Sequence, residues 1–378
     1  MKIETRLVQA GVGWDNRTGS ISTPIYQTAI FRHPRLGEST GYDYSRSGNP
    51  TRGVLEETIA ALEGGVRGFA FASGMAAIAT LMYLFRPGGH LVVSDDLYGG
   101  TFRLFEQAYA PLGFRFTYVD TSDLRRVEAA VDERTRGLFI ETPTNPLMKI
   151  SDLRALSALA RERGLVHVVD NTFMTPYLQR PHELGADVVL HSATKYLGGH
   201  NDLIAGLLTT NREDLADKLY FYQNAAGGIL GPQDSWLLLR GMKTLAVRLH
   251  RQEENARALA QWLERHPAVE KVYYPGLPHH PGHELQRSQA EGFGGMISFT
   301  VVDAGLVPRI LERVRVISFA ESLGGVESLI TYPATQTHAD IPEEIREMRG
   351  ITRRLLRLSV GIEALEDLME DLDRALGA

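Results

Sequence analysis

The chain has 378 residues, 43% of them hydrophobic, with 40 Lys and Arg against 46 Asp and Glu and a formal charge of -6. That length exceeds the ~250–300 residues at which a single core stops growing, so one large unit and a smaller one are expected; the acidic balance, without any basic block, argues against a nucleic-acid partner. Zero cysteines exclude disulfides and thiolate metal sites, the opening Met1–Thr5 lacks an apolar signal core, and no apolar run nears the ~20 residues of a membrane span, so a cytoplasmic protein with no membrane role is expected.

The first fifty residues are rich in Gly, Ser, Thr and Pro and close on Gly41-Tyr-Asp-Tyr-Ser-Arg-Ser-Gly-Asn-Pro50. Residues 1–50 cannot bury much of themselves and read as an arm that packs on something else. From Thr51, helical stretches alternate with short runs rich in Val, Ile and Phe: Gly68 to Ala72, His90 to Ser94, Phe114 to Val119, Gly137 to Ile140, Leu165 to Val169, Ala186 to Leu190 and Leu203 to Thr209. Between them lie amphipathic segments such as Ser151 to Arg163, with Leu153, Leu156, Leu159 and Ala160 at helical spacing. The alternation predicts an α/β unit over residues 51–245 with a mainly parallel sheet, buried on both faces because its strands show no in/out polarity.

Gln233 to Arg265 reads as a long helical region that carries the chain out of the sheet, with a stop at His266-Pro267. Beyond it, runs at Val269 to Tyr274, Gly295 to Val301, Val316 to Ala320 and Leu355 to Val360, with helices at Val307 to Arg315 and Ala364 to Ala375, predict a smaller C-terminal α+β unit over residues 246–378.

Ligands of an open α/β sheet collect beyond the carboxyl ends of its strands. There the sequence places Ser73-Gly74-Met75 at a helix start, which suits either an anion or an ordinary serine N-cap. Asp170 ends one run, and Lys195 follows another in His191-Ser-Ala-Thr-Lys-Tyr-Leu-Gly-Gly-His200. Alone, Asp170 and Lys195 read as a structural ion pair. Their neighbours shift that balance: Ser192 and Thr194 flank the lysine, Tyr98 follows another strand end, and Asn145 lies in Glu141-Thr-Pro-Thr-Asn-Pro146. An amine, a carboxylate, an aromatic face, a donor, and hydroxyls with a helix N-terminus are the groups that pyridoxal 5'-phosphate (PLP) needs.

The sequence resembles the Cys/Met-metabolism, or trans-sulfuration, family of PLP-dependent enzymes. The likeness runs through Ser20 to Tyr26, Tyr42 to Arg52, Phe69 to Ala77, Asp96 to Thr101, Glu141 to Pro146, Val169 to Phe173, His191 to His200, Glu321 to Leu329, Thr337 to Ala339 and Arg357 to Glu363. The resemblance implies the aspartate aminotransferase-like fold (fold type I) and a homotetramer built from dimers. It implies Lys195 as the Schiff-base lysine and proton carrier, Asp170 as partner of the pyridine nitrogen, and Tyr98 stacked on the ring. Gly74, Met75, Ser192 and Thr194 would hold the phosphate, with Tyr44 and Arg46 from a neighbouring subunit. Arg357 would grip the substrate α-carboxylate, helped by Asn145 and Ser322.

Within the family, Arg103 and Glu321 suit a substrate such as cystathionine, with Asp43 near the entrance for its distal ammonium. A helix from Gly100 would bring Arg103 back over the pocket. Gly100 stands where methionine-specialised members often carry a cysteine, which disfavours a methionine γ-lyase. Glu321 resembles the acid that γ-acting enzymes carry. A cystathionine γ-lyase is preferred narrowly over a γ-synthase, with β-lyase activity also open; Gln336, where many relatives have Met, leaves acceptor preference open. Outside the family, Ser192-Ala-Thr-Lys195 matches S-x-x-K without the other motifs of a serine hydrolase, and His167, His191, His200 and Asp170 offer a metal site without H-E-x-x-H.

Overall fold

A computed structural model describes residues 1–377. The first sheet comprises β1 (Arg67–Phe71), β2 (His90–Ser94), β3 (Arg115–Val119), β4 (Thr135–Glu141), β5 (Val166–Asp170), β6 (Val188–Ser192) and β7 (Gly206–Thr210). Their order is β1-β7-β6-β5-β4-β2-β3. β2 to β6 pair in parallel, and β7 alone runs antiparallel, to both β6 and β1.

Successive residues of these strands serve two different cores. Val168, Val188 and Leu190 pack to one side with Phe139, whereas Leu138, Ile140, Val169 and Val189 pack to the other. Both faces are therefore apolar, which is why the sequence shows runs instead of alternation. The runs were apolar, so they stopped short of the polar residues that end the strands. Glu141, Asp170 and Ser192 are paired strand residues, and all three finish on the same edge of the sheet.

The second sheet holds β8 (Val269–Tyr273), β9 (Met296–Val301), β10 (Ser318–Phe319), β11 (Leu329–Thr331) and β12 (Leu355–Ser359), in the order β10-β11-β12-β9-β8. Its core combines Ile297, Phe299, Leu356 and Leu358 with Leu368 and Leu372 of the last helix, Leu365–Leu376. Here β11 is a three-residue strand, too short to carry a periodic signal.

The expected helix over Gln233 to Arg265 is two helices, Pro232–Met242 and Leu245–Leu263. The break follows from a close backbone crossing: a Cβ on Gly241 would lie 2.2 Å from the carbonyl of Gly198. Arg248 secures that crossing. Its guanidinium donates to the carbonyls of Tyr196 (2.8 Å) and Gly241 (2.9 Å), and its Nε to Thr244 Oγ1 (3.0 Å). Burial draws this cation down to about 10. The segment that follows Lys195 is thus tied to both helices.

Replacing Arg248 with Met should leave the Tyr196 carbonyl without its donor, while Gly241 keeps its bonds from Thr244, and lower stability by roughly 2 kcal/mol. Urea unfolding with an unchanged midpoint would show that the crossing does not depend on this residue.

Candidate functional site

The carboxyl edge of the first sheet and the connection after β10 enclose a cavity of about 350 Å3. Its floor is made by strand ends. Asp170 and Glu141 are register neighbours on β5 and β4, and both line the cavity. Asp170 Oδ1 accepts from the backbone N–H (3.0 Å) and hydroxyl (2.6 Å) of Thr172. Thr172 Oγ1 in turn accepts from the N–H of Ser192 at 2.8 Å. This relay fixes one carboxylate oxygen and, among the described residues, leaves the other without a side-chain or backbone donor in a residue that lines the cavity.

Burial raises the pKa of Asp170, and its bonds to Thr172 only partly offset the shift. Glu141 is pushed well above the usual carboxylate range by burial and by the adjacent Asp170, while its Oε2 accepts from the N–H of Tyr98 at 3.1 Å. Two carboxylates side by side in an enclosed floor call for a cation.

Lys195 follows β6 and reaches into the same space. No ion pair joins it to Asp170 among the described residues; its Nζ donates to Ser322 Oγ at 2.8 Å. Burial first, and the positive Arg357 second, lower its pKa to about 8, against a rise from Glu321. The free amine is therefore far more accessible near neutrality than that of an ordinary lysine, as a nucleophilic lysine requires.

Arg357, on β12, is 1% exposed. It donates to Asn145 Oδ1 (2.9 Å), the Ser322 carbonyl (2.9 Å) and Thr331 Oγ1 (3.2 Å), and its Nε has no partner. Burial lowers it to about 10. A buried cation bonded only to neutral groups is suited to an incoming carboxylate. Ser322, which touches both Lys195 and Arg357, has φ of 147°, a strained value for a side chain-bearing residue. Two residues on, Gly324 packs against the Lys195–Tyr196 backbone, where a Cβ would lie 2.6 Å from the Tyr196 nitrogen.

At the other wall, Ser73 is the N-cap of the helix Gly74–Met82, its hydroxyl accepting from Ala76 N–H at 3.0 Å. The cap reading is correct, yet it spends one amide only. The N–H groups of Gly74 and Met75 start the helix without intrahelical acceptors, facing a cavity that Ser192 and Thr194 also line. Gly74 is needed at this approach: a Cβ would come 3.1 Å from that of Ser192.

Of the predicted residues, Gly74, Met75, Tyr98, Asn145, Asp170, Ser192, Thr194, Lys195, Glu321, Ser322 and Arg357 meet in this one cavity. Four lie outside it. Tyr44 and Arg46 sit on the arm, shaped by buried Arg52, which donates to the carbonyls of Ser45 (2.6 Å) and Arg46 (3.1 Å). Asp43 is exposed and bonded to Ser39 and His33. Arg103 is not itself a wall residue. The helix Gly99–Arg103 is followed by a wider π-helical turn, Leu104–Tyr109, and the half-exposed Arg103 donates to Asp340 at 2.9 Å.

Sequence reasoning overlooked Glu141, Thr172, Phe173 and Thr337 as wall residues. Glu141 had a usable signal, a carboxylate ending a buried run one strand from Asp170. His167, His191 and His200 turn to Ser157, Glu63 and the Gly198 carbonyl respectively, and no group of three or more His, Asp or Glu that could hold a metal occurs among the described residues. A wider groove of about 840 Å3, lined by Lys149, Tyr273, His280 and Arg349 among others, shares none of the cavity's residues.

PLP fits this cavity on its own chemistry. The uncompensated floor carboxylate matches a protonated ring nitrogen, the lowered lysine matches an aldehyde, and the open amides with two hydroxyls match a phosphate. With a central sheet of this topology and a smaller C-terminal sheet, the protein is a PLP-dependent enzyme of the aspartate aminotransferase-like fold. It belongs to the Cys/Met-metabolism family of PLP-dependent enzymes, whose pattern it matches over residues 4–377.

The chain is 52% identical over 376 residues to a cystathionine gamma-lyase of Bacillus subtilis, covering 100% of this chain and 99% of that protein. It is 53% identical over 374 residues to a cystathionine beta-lyase of Lactococcus lactis subsp. cremoris, covering 99% and 98%. The crystal structure of a cystathionine gamma synthase from Xanthomonas oryzae pv. oryzae, in complex with aminoacrylate and cysteine, superposes with a TM-score of 0.97 at 42% identity, covering 100% and 98%.

In cofactor-free protein, acylation of Lys195 followed by peptide mass spectrometry should rise with a midpoint near pH 8. Glu321→Gln should move that midpoint down, since the carboxylate raises Lys195. A midpoint at the ordinary 10.5 would contradict the burial argument. The unfolded chain keeps this proton longer, so the cost of burying Lys195 is full below about pH 8 and is relieved as pH rises toward 10.5, and stability rises over that window.

Proposed function

We propose that this protein cleaves the γ carbon–sulfur bond of cystathionine-type thioethers, giving cysteine, 2-oxobutyrate and ammonia. The observation that carries this reading is Glu321. It is the one carboxylate on the cavity wall that does not belong to the sheet-end floor, and its charge acts on Lys195, Tyr98 and Arg357 alike.

When bound, PLP supplies an electron sink for the charge released at the substrate α-carbon. Asp170 would hold the ring nitrogen with the oxygen that Thr172 leaves free, and Tyr98 would cover the ring. Gly74, Met75, Ser192 and Thr194 would hold the phosphate, completed by the partner subunit's Tyr44 and Arg46. That last assignment agrees with Tyr44 and Arg46 lying outside the walls of this chain's own cavity, and it is part of a reading in which the protein is a homotetramer built from dimers.

Arg357 would take the substrate α-carboxylate, with Asn145 fixing one end of the guanidinium and Ser322 the other. Lys195 would anchor the cofactor and, once displaced by the substrate amine, remove the α-proton and then a β-proton. A lysine whose pKa is drawn down toward neutrality suits repeated proton transfer. The γ-sulfur leaves with a proton as cysteine, water supplies the keto-acid oxygen, and the nitrogen departs as ammonia. Arg103, at the mouth, would receive the distal carboxylate.

Cystathionine, and separately O-acetyl- or O-succinylhomoserine with cysteine, should be supplied and the products identified. Cysteine and 2-oxobutyrate from the first are expected. Exclusive synthesis of cystathionine from the second would establish a γ-synthase instead, and homocysteine with pyruvate a β-lyase. Lys195→Ala should remove both turnover and the visible absorbance of lysine-bound cofactor while the fold persists; near-normal turnover would refute its role.

A further inference from the structure

Arg103 and Asp340 form an ion pair at 2.9 Å, with side chains 53% and 41% exposed. The pair stands beside the cavity. Arg103 lies two residues past Thr101 and Asp340 three past Thr337, and both threonines are in the cavity wall. The Thr337 turn is seated directly on the helix start, where a Cβ on Gly99 would lie 2.2 Å from the Thr337 carbonyl. Both charges also act on the phenol of Tyr98 inside the cavity, Arg103 lowering and Asp340 raising it, after burial and Glu321. Arg103 is the one side-chain partner of Asp340 among the described residues.

An exposed pair of this kind is worth no more than about 1 kcal/mol, so an arriving ligand can open it. A thioether amino acid whose far end carries both an ammonium and a carboxylate offers each member a new partner, exchanging one ion pair for two. A ligand with a distal carboxylate alone must take Arg103 from Asp340 and leaves Asp340 with nothing in return.

We propose that Asp340 is a specificity-determining residue, receiving the distal ammonium of a zwitterionic thioether while Arg103 receives its distal carboxylate; this rests on the cystathionine reading above. Asp340 thereby fills, from the same chain as the cavity, the role that sequence alone gave to Asp43. It also discriminates against substrates whose far end is purely anionic.

The test compares the unmodified holoenzyme with Asp340→Asn on two substrates that share the γ carbon–sulfur bond: cystathionine and S-(2-carboxyethyl)homocysteine, which lacks only the distal ammonium. In the variant the KM for cystathionine should rise about threefold and that for the carboxylate-only substrate should fall about threefold, shifting the kcat/KM ratio about tenfold, with kcat little changed. Asp340→Ser should reproduce the crossing. Loss of a merely structural contact would move both KM values the same way, and that result, or an unchanged ratio, would overturn the assignment of Asp340 alone. Failure of the unmodified holoenzyme to cleave either substrate would overturn both this assignment and the cystathionine reading.

Discussion

Charge held without full compensation at the carboxyl edge of the seven-stranded sheet is the constraint on which the rest of the structure depends. Asp170 and Glu141 are adjacent carboxylates in an enclosed floor, and Lys195 and Arg357 are cations bonded only to neutral groups. Nothing prevents a folded chain from pairing such groups with one another, and doing so would cost less. Here the hydroxyls of Thr172 and Ser322 keep them apart. The fold is organised so that a molecule carrying a protonated ring nitrogen, an aldehyde, a phosphate and later an α-carboxylate finds each counterpart already aimed.

Keeping those groups separate depends on elements far apart in the chain. The lysine segment is tied from behind by Arg248, across the Gly198–Gly241 contact. From the front, Ser322 reaches it from the second sheet on strained backbone, with Gly324 allowing the approach. Arg357 belongs to β12, and its partners Asn145 and Ser322 lie in the connections that follow β4 of the first sheet and β10 of the second. The cavity therefore exists only while the two sheets are joined, and strain at Ser322 is the local cost of joining them.

Much of this was legible in the sequence, for identifiable reasons. Strand ends in a sheet buried on both faces are the few places where polar residues interrupt apolar runs, so Asp170, Lys195 and Asn145 stood out. The antiparallel course of β7 did not, because strand direction leaves no mark on composition. Nor did the break at Lys243 and Thr244, which answers to a contact with Gly198 more than forty positions earlier in the numbering. Arg103 ends the short helix Gly99–Arg103 and is paired with Asp340, a contact between segments more than two hundred positions apart that leaves no mark in the sequence. Tyr44 and Arg46 were assigned across a subunit boundary on resemblance, and the arm geometry alone does not send them into their own cavity.

The central claim, that the floor carboxylate is kept available for a cation, is tested most directly by the charge state of the bound cofactor's ring nitrogen. Nitrogen-15 NMR of ring-labelled PLP in the unmodified protein should show that nitrogen protonated at neutral pH, and unprotonated in Asp170→Asn. A ring nitrogen already unprotonated in the unmodified protein, or one unaffected by the substitution, would contradict the account.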